Sequence, residues 1–329
     1  GTVTFTAGGI DALGAVDTTL ARVAFVLLVV GFGVKTALVP LHGWLPAAMV
    51  APTPVSGLLH AVAVVKSGVF ALGRTVLYVF GPETTWDLGL ALPLAAAAAA
   101  TMVVAGVVGL RQDNLKRGLA YSTVSHLAYI ALGLALATPV AVFGAFIHVV
   151  AHAFMKISLF FAAGLIYVET GEKYVSDLAG VGRRLPMTMT AFAIAAAGLI
   201  GFPLVAGFVS KFHLVLGAAA SPYPVFVAAY LLAGLLKLLY FWPVVYVAFF
   251  GRRGSDGSES EHAFAPPHAT DGGYATAATW ERRTLGAETT PFMLLPVLFT
   301  VGAAVALGVA PTAFPFWDLA NAVVAEVFG

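Results

Sequence analysis

Apolar residues run through this chain in blocks of about 20, the length that spans a hydrocarbon core as a helix, and the blocks are separated by short polar or proline-rich interruptions. The blocks predict spans at 19–39, 55–80, 89–110, 116–137, 141–168, 187–219, 224–250 and 291–310, with a weaker apolar tail over 312–329. The period-2 alternation that a membrane barrel needs is absent. Two spans are interrupted. After the first comes VPLHGWLPAAMVAPTPV, with prolines at 40, 46, 52 and 54. Proline removes a backbone donor and clashes with the preceding turn, so a broken helix with a short second limb is expected there. In the sixth span, GLIGFPLVAGF places Gly198, Gly201, Pro203 and Gly207 mid-membrane.

Composition agrees with this pattern. Of 329 residues, 60% are hydrophobic and 10% charged, against roughly 25% charged in a soluble domain. The fold class expected is all-α, a polytopic transmembrane helix bundle with two broken helices. Threading the spans alternately places Arg111, Lys116, Arg117, Lys173, Arg183, Arg184, Arg252, Arg253, Arg282 and Arg283 on one side, ten of the seventeen basic residues. Only Arg22 and Arg74 fall near the other face. The positive-inside rule makes the ten-residue side cytoplasmic, and one missed helix would scramble the agreement. A prokaryotic cytoplasmic membrane is the expected location. Residues 1–18 have neither a basic n-region nor a long apolar run, so they read as an external loop of a longer protein rather than a signal peptide. The segment 251–290 reads as a solvated cytoplasmic loop, and 291–329 as a C-terminal transmembrane helix and tail. Scattered basic residues and a net charge of +1 argue against nucleic acid as a partner. The absence of cysteine excludes disulfides, thiolate metal sites and cysteine-held clusters.

The five remaining basic residues are Lys35, Lys66, Lys156, Lys211 and Lys237, each inside an apolar span. A lysine at the bilayer centre costs about 2.5–3.5 kcal/mol on insertion scales. Snorkelling suits residues near span ends, but Lys66 and Lys156 have apolar-rich sequence on both sides. Lys35 precedes the first break and Lys211 follows the second, and each broken segment is followed by a span with its own lysine, Lys66 and Lys237. Interrupted segments at corresponding places in two halves point to a transporter built from repeats. On this reading 19–80 closes a first repeat and 81–250 forms a second, broken at 187–219.

In AFIHVVAHAFMKISLFF, His148, His152 and Lys156 stand at i, i+4 and i+8, on one helix face. Imidazole titrates near neutral pH and can donate with one nitrogen while accepting with the other, so this column reads as a proton relay. A metal pair is the competing chemistry for HxxxH, but the glutamate of HExxH is missing and no Cys, Asp or Glu is nearby. A packed structural pair is a second alternative. His60 shares the span of Lys66, and His126 follows Tyr121, Ser122, Thr123 and Ser125 in LAYSTVSHLAYI. Hydroxyls at that density suggest a hydrated stripe, although each polar residue alone could be interhelical glue. His42, Tyr121, Ser122, Ser125 and His126 are expected in support of the relay groups Lys35, His60, Lys66, His148, His152, Lys156, Lys211 and Lys237. Met and the aromatic residues are read as packing. None of the sixteen Asp and Glu falls in the middle of a confident span. The buried lysines therefore lack an evident counter-ion, and are either often neutral or paired from outside this sequence.

The runs VKTALVPLHGWLPAAMVAPTPVSGLLHAVAVVKSGVFALGR, RQDNLKRGLAYSTVSHLAYI, HVVAHAFMKISLFFAAG and AGFVSKFHLVLG resemble the antiporter-like subunits shared by respiratory complex I, membrane-bound hydrogenases and Mrp-type multisubunit cation/proton antiporters. The run LLKLLYFWPVVYVAFFG favours the D-like branch of the Mrp type. The resemblance implies inverted repeats, each holding a broken helix, with this sequence supplying the latter part. It implies that Lys35 is the broken-helix lysine of a first half-channel and Lys66 the lysine of the next helix, that His148, His152 and Lys156 form a central relay, and that Lys211, on the second broken helix, leads toward the exit. The glutamate partner of Lys35 would lie upstream of Gly1. Protons and Na⁺ would be the transported ions and other membrane subunits the partners. The alternative functions are proton translocation in a redox complex and a purely structural, non-conducting role. No cofactor, catalytic or metal site is recognisable, so any oxidoreductase label would belong to the assembly.

Overall fold

A computed structural model describes residues 5–10, 13, 17–251, 284 and 286–329. Among them, seven helices are long and apolar enough to cross a membrane. These are α1 (Thr18–Thr36), α2 (Thr53–Phe80), α3 (Ala91–Leu110), α4 (Leu115–Leu136), α5 (Pro139–Thr170), α8 (Phe226–Phe250) and α9 (Pro291–Val309). The interrupted span appears as two half-helices, α6 (Pro186–Ile200) and α7 (Ala206–Ala219). A short helix, α10 (Pro315–Phe328), follows α9. Every expected span finds its helix, and no strand occurs among the described residues.

Local chemistry sets the helix limits. The Asp17 carboxylate accepts from the Thr19 and Leu20 N–H groups at 2.8 and 3.1 Å, satisfying two donors that a helix start leaves orphaned. Helix α1 closes at Thr36 rather than at 39, since Ala37 takes a left-handed φ of 57° and Pro40 beyond it cannot continue the ladder. The chain then makes a one-turn helix, Trp44–Ala47, the short second limb of the first break. At the second break Gly201 (φ 109°) lies in the region that favours glycine. Helix α2 carries an interruption that proline and glycine positions do not announce: its segments Leu58–Val62 and Thr75–Phe80 are π-helical.

Helix α4 is the axis of the bundle. Every residue from Ser122 to Ala137 is buried, with α3 and α5 packed along it and α2, α7 and α8 also touching it. The two ends of the bundle separate by charge. At one end the Leu115 N–H donates to Lys173 O at 3.0 Å, Val175 N–H to Asp113 O at 2.8 Å and Gly180 N–H to Val247 O at 3.0 Å. That gathers the segments carrying Arg111, Lys116, Arg117, Lys173, Arg183 and Arg184. Arg252, Arg253, Arg282 and Arg283 lie outside the described residues. At the opposite end Ile10 N–H donates to Val79 O at 3.0 Å, Arg22 Nε donates to Leu88 O at 3.0 Å, and Trp86 stacks on Tyr223 at 5.7 Å. Helix α10 runs along that end, with Trp317 against Phe143 at 4.7 Å and Glu326 accepting from the Tyr78 hydroxyl at 3.0 Å.

The expected solvated loop over 251–290 differs from the structure at its end; residues 252–283 and 285 lie outside the described residues. Glu288 is fully buried and accepts from the Met187 and Thr188 N–H groups, both at 2.9 Å, and from the Thr188 hydroxyl. The N-cap residue of α6, Leu185, supplies no side-chain acceptor. A carboxylate from elsewhere therefore fills the positive end of this half-helix.

The halves of the second break pack without a gap. A Cβ on Gly207 would lie 1.9 Å from Gly198 O. Gly207→Val is accordingly expected to cost about 1–3 kcal/mol through overpacking, read as a lower thermal unfolding midpoint of the purified membrane protein. An unchanged midpoint would show that α6 and α7 do not approach so closely.

Candidate functional site

Helix α4 presents Ser122, Ser125, His126 and Tyr129 at i, i+3, i+4 and i+7, the spacing of one helix face. Each of them meets a basic group carried by a neighbouring helix. The Lys156 ammonium, on α5, donates to Leu119 O at 3.0 Å and to the Ser122 hydroxyl. The Lys237 ammonium, on α8, donates to the Ser125 hydroxyl at 2.9 Å. His126 Nδ1 bonds His148 Nε2 at 2.9 Å. The Tyr129 ring lies 4.0 Å from Lys237 Nζ and 4.9 Å from Lys211 Nζ.

The histidines form the middle of this array. His126, His148 and His152 are each fully buried. His126 lies 5.1 Å from both other rings, and His148 lies 6.2 Å from His152. On one flank Lys66 Nζ, from α2, bonds His152 Nδ1 at 2.8 Å. On the other His148 Nδ1 bonds Ser210 Oγ at 2.8 Å, bringing in the start of α7. Five helices thus converge on one buried polar cluster.

Hydrogen-bond roles assign the tautomers. The single Ser210 proton goes to the carbonyls of Ala206 and Gly207, at 3.3 and 3.2 Å, so Ser210 Oγ accepts from His148 Nδ1–H. His148 Nε2 then accepts from His126 Nδ1–H, which leaves His126 Nε2 bare. A Lys66 ammonium donating to His152 Nδ1 puts the other His152 proton on Nε2. Both His126 Nε2 and His152 Nε2 are buried without a protein partner. One is an acceptor, the other a donor, and they sit on neighbouring rings.

Lys211 answers the missing counter-ion. Its ammonium donates to Leu199 O and, at 2.9 Å, to Ile200 O, the last carbonyls of α6. These form the negative end of a half-helix dipole, the place where broken helices hold cations. A helical side chain leans toward its own N-terminus, so a lysine early in the second limb reaches back across the break. Lys35 has the reverse setting. At the end of α1 it leans away from its own terminal carbonyls, and its side chain is exposed. The Val34 carbonyl there accepts from Trp44 Nε1 at 2.7 Å instead. Lys35 makes no hydrogen bond among the described residues, and the structure does not bring it to the histidines.

The remaining expected residues are dispersed. His60, in a π-helical part of α2, is fully buried, with its ring 5.1 Å from Phe160 and both nitrogens without a partner. His42 is half-buried, its ring 6.3 Å from that of Tyr121, with Nδ1 unpartnered. Tyr121 is half-buried beside it. Ser122, Ser125 and His126 touch the basic groups directly rather than from behind them. Sequence reading missed Ser210 and Tyr129. Ser210 adjoins Lys211 just past the break, a polar pair that could have been noticed. Tyr129 completes the α4 stripe at i+7 and was hidden by reading aromatic residues as packing. Among the described residues no group of three or more His, Asp or Glu is placed to hold a metal ion.

Other proteins are similar to this chain in sequence and in fold. The family NADH:quinone oxidoreductase/Mrp antiporter, TM, matches residues 2–236. The chain is 40% identical over 252 residues to NADH-quinone oxidoreductase subunit N of Desulforudis audaxviator, covering 76% of this chain and 50% of that protein. It is 38% identical over 248 residues to the A/B subunit of a probable K(+)/H(+) antiporter of Rhizobium meliloti, covering 72% of this chain and 24% of that one. The chain thus spans half the length of the first relative and a quarter of the second. In fold it superposes on a chain of the Mrp complex from Dietzia with a TM-score of 0.78 at 23% identity, covering 96% of this chain and 61% of the other. A chain of respiratory complex I from Thermus thermophilus gives 0.73 at 24% identity, with 93% and 59% covered.

Ser210→Ala leaves His148 Nδ1–H without its acceptor in a buried site, which costs about 1–3 kcal/mol. The ¹⁵N shift of labelled His148 Nδ1 is expected to move in this variant while that of His60 stays. An unmoved His148 shift would show that the pair is not formed.

Proposed function

This chain belongs to the NADH:quinone oxidoreductase/Mrp antiporter transmembrane family, and from that premise we propose that it conducts protons across the membrane as part of a multisubunit monovalent cation (Na⁺)/proton antiporter. One observation carries the reading: a lysine–histidine–histidine–histidine–serine cluster is buried between helices, with its two unpartnered ring nitrogens complementary in role. A water between His152 Nε2–H and His126 Nε2 would join the halves. A proton leaving Lys66 for His152 Nδ1 then releases the Nε2 proton toward His126, whose Nδ1 proton passes to His148 and on to Ser210. Lys211 lies next in the chain.

Lys156, held by Ser122, stands beside the same file, and Lys237, held by Ser125, stands with Lys211 beyond its end. His60, with His42 and Tyr121, would serve water-filled approaches from the break that follows α1. Lys35 would act on a file outside this cluster. A broken helix followed by a lysine-bearing helix occurs twice, which supports 19–80 as the end of one repeat and 81–250 as another. Other membrane subunits are the proposed partners, and the prokaryotic cytoplasmic membrane the proposed location. The 40% identity to a quinone oxidoreductase subunit N favours a second reading, the same relay driven by electron transfer in partner subunits.

Lys156→Met, made in the assembled complex and assayed in sealed vesicles, is expected to abolish proton flux while assembly persists. Flux at the unsubstituted level would make a purely structural role the better account. An imposed Na⁺ gradient is expected to drive counter-movement of protons; if only quinone reduction drives it, the second reading holds.

A further inference from the structure

We propose that the Tyr129 ring is a shared cation seat, for which the Lys211 and Lys237 ammonium groups compete, so that the exit junction holds one protonated lysine at a time. The inference rests on the proton-relay reading and adds a positioning residue to it.

Two ammonium nitrogens lie 4.0 and 4.9 Å from the centroid of one fully buried ring. Both are inside the roughly 6 Å range over which a ring quadrupole attracts a cation. His126 and His148 also stack on this ring, at 5.5 and 5.7 Å and at interplanar angles of 26° and 21°. Tyr129 therefore touches both the histidine file and the two lysines beyond it. Its orientation is fixed. The Tyr129 hydroxyl donates to Tyr230 O at 2.8 Å, and the Tyr230 hydroxyl donates to Tyr129 O at 3.1 Å. This reciprocal pair ties α4 to α8, and the Tyr230 ring packs at 5.1 Å.

The ring attracts a lysine only while that lysine carries its proton. The other acceptors are neutral as well: the Ser125 hydroxyl for Lys237, and the Leu199 and Ile200 carbonyls for Lys211. Nothing in these contacts offsets the repulsion between two ammonium groups over one ring, and in a buried setting that repulsion is weakly screened. Single protonation is the favoured state. Passage then consists of one N–H bond broken at Lys211 and one formed at Lys237, or the reverse, with the positive charge remaining against the same ring. No electron changes hands.

The test replaces Tyr129 in the assembled complex and reads proton flux in vesicles. Tyr129→Phe keeps the ring and is expected to stay within about twofold of the parent, while Tyr129→Leu is expected to fall about tenfold or more, the scale of a desolvated cation–π attraction. Phenylalanines carrying one, two and three ring fluorines preserve shape while draining the quadrupole, and are expected to lower flux stepwise. A flat fluorine series, or Tyr129→Leu matching Tyr129→Phe, overturns the seat. Tyr129→Phe as poor as Tyr129→Leu also overturns it, since the tie to Tyr230 would then be what matters. Lys156→Met alongside separates the two levels: if that variant loses flux while the fluorine series is flat, the relay stands and only the seat falls.

Discussion

Holding ammonium groups in a low-dielectric interior is the constraint from which the rest of this structure follows. A bare charge there is prohibitively costly, and a polar group is tolerated only when hydrogen-bonded. The bundle meets the demand with neutral acceptors. Lys156 has a hydroxyl and a backbone carbonyl, Lys237 a hydroxyl and a ring face, Lys66 an imidazole nitrogen, and Lys211 two helix-terminal carbonyls. Neutral acceptors hold a proton without trapping it as a carboxylate would. Most of them come from α4, which explains why a helix bearing two serines, a histidine and a tyrosine on one face is buried through nearly its whole length. That face is apolar nowhere that a basic group needs it.

The second broken helix does two things at once. Gly201 lets the chain turn, and the turn leaves carbonyls without an intrahelical partner. Lys211, leaning back from the next limb, takes them up. At the far end of the same half-helix the buried Glu288 meets the orphaned N–H groups. Helix α6 therefore has an anion at its positive pole and a cation at its negative pole, both supplied from other parts of the chain. The first break lacks this arrangement. Its lysine precedes the gap, leans the wrong way and lies exposed, so the two break lysines, on opposite sides of their breaks along the chain, are unlike in space as well.

Much was legible in the residues alone. Hydrophobic block length and proline or glycine positions determined the helices and both breaks, because each depends on local backbone chemistry and on transfer from water to oil. Helical spacing placed His148, His152 and Lys156 on one face, and four of the five lysines inside apolar spans marked where the buried polar cluster forms. Only the tertiary structure decided which polar groups meet: that Ser125 holds Lys237, that Lys66 reaches His152 and Ser210 reaches His148, that Tyr129 serves two lysines, and that Glu288 returns to cap α6. Those pairings join residues far apart along the chain, and they depend on how helices rotate and cross. Rotation and crossing are set by packing of whole surfaces, which no stretch of the chain encodes by itself.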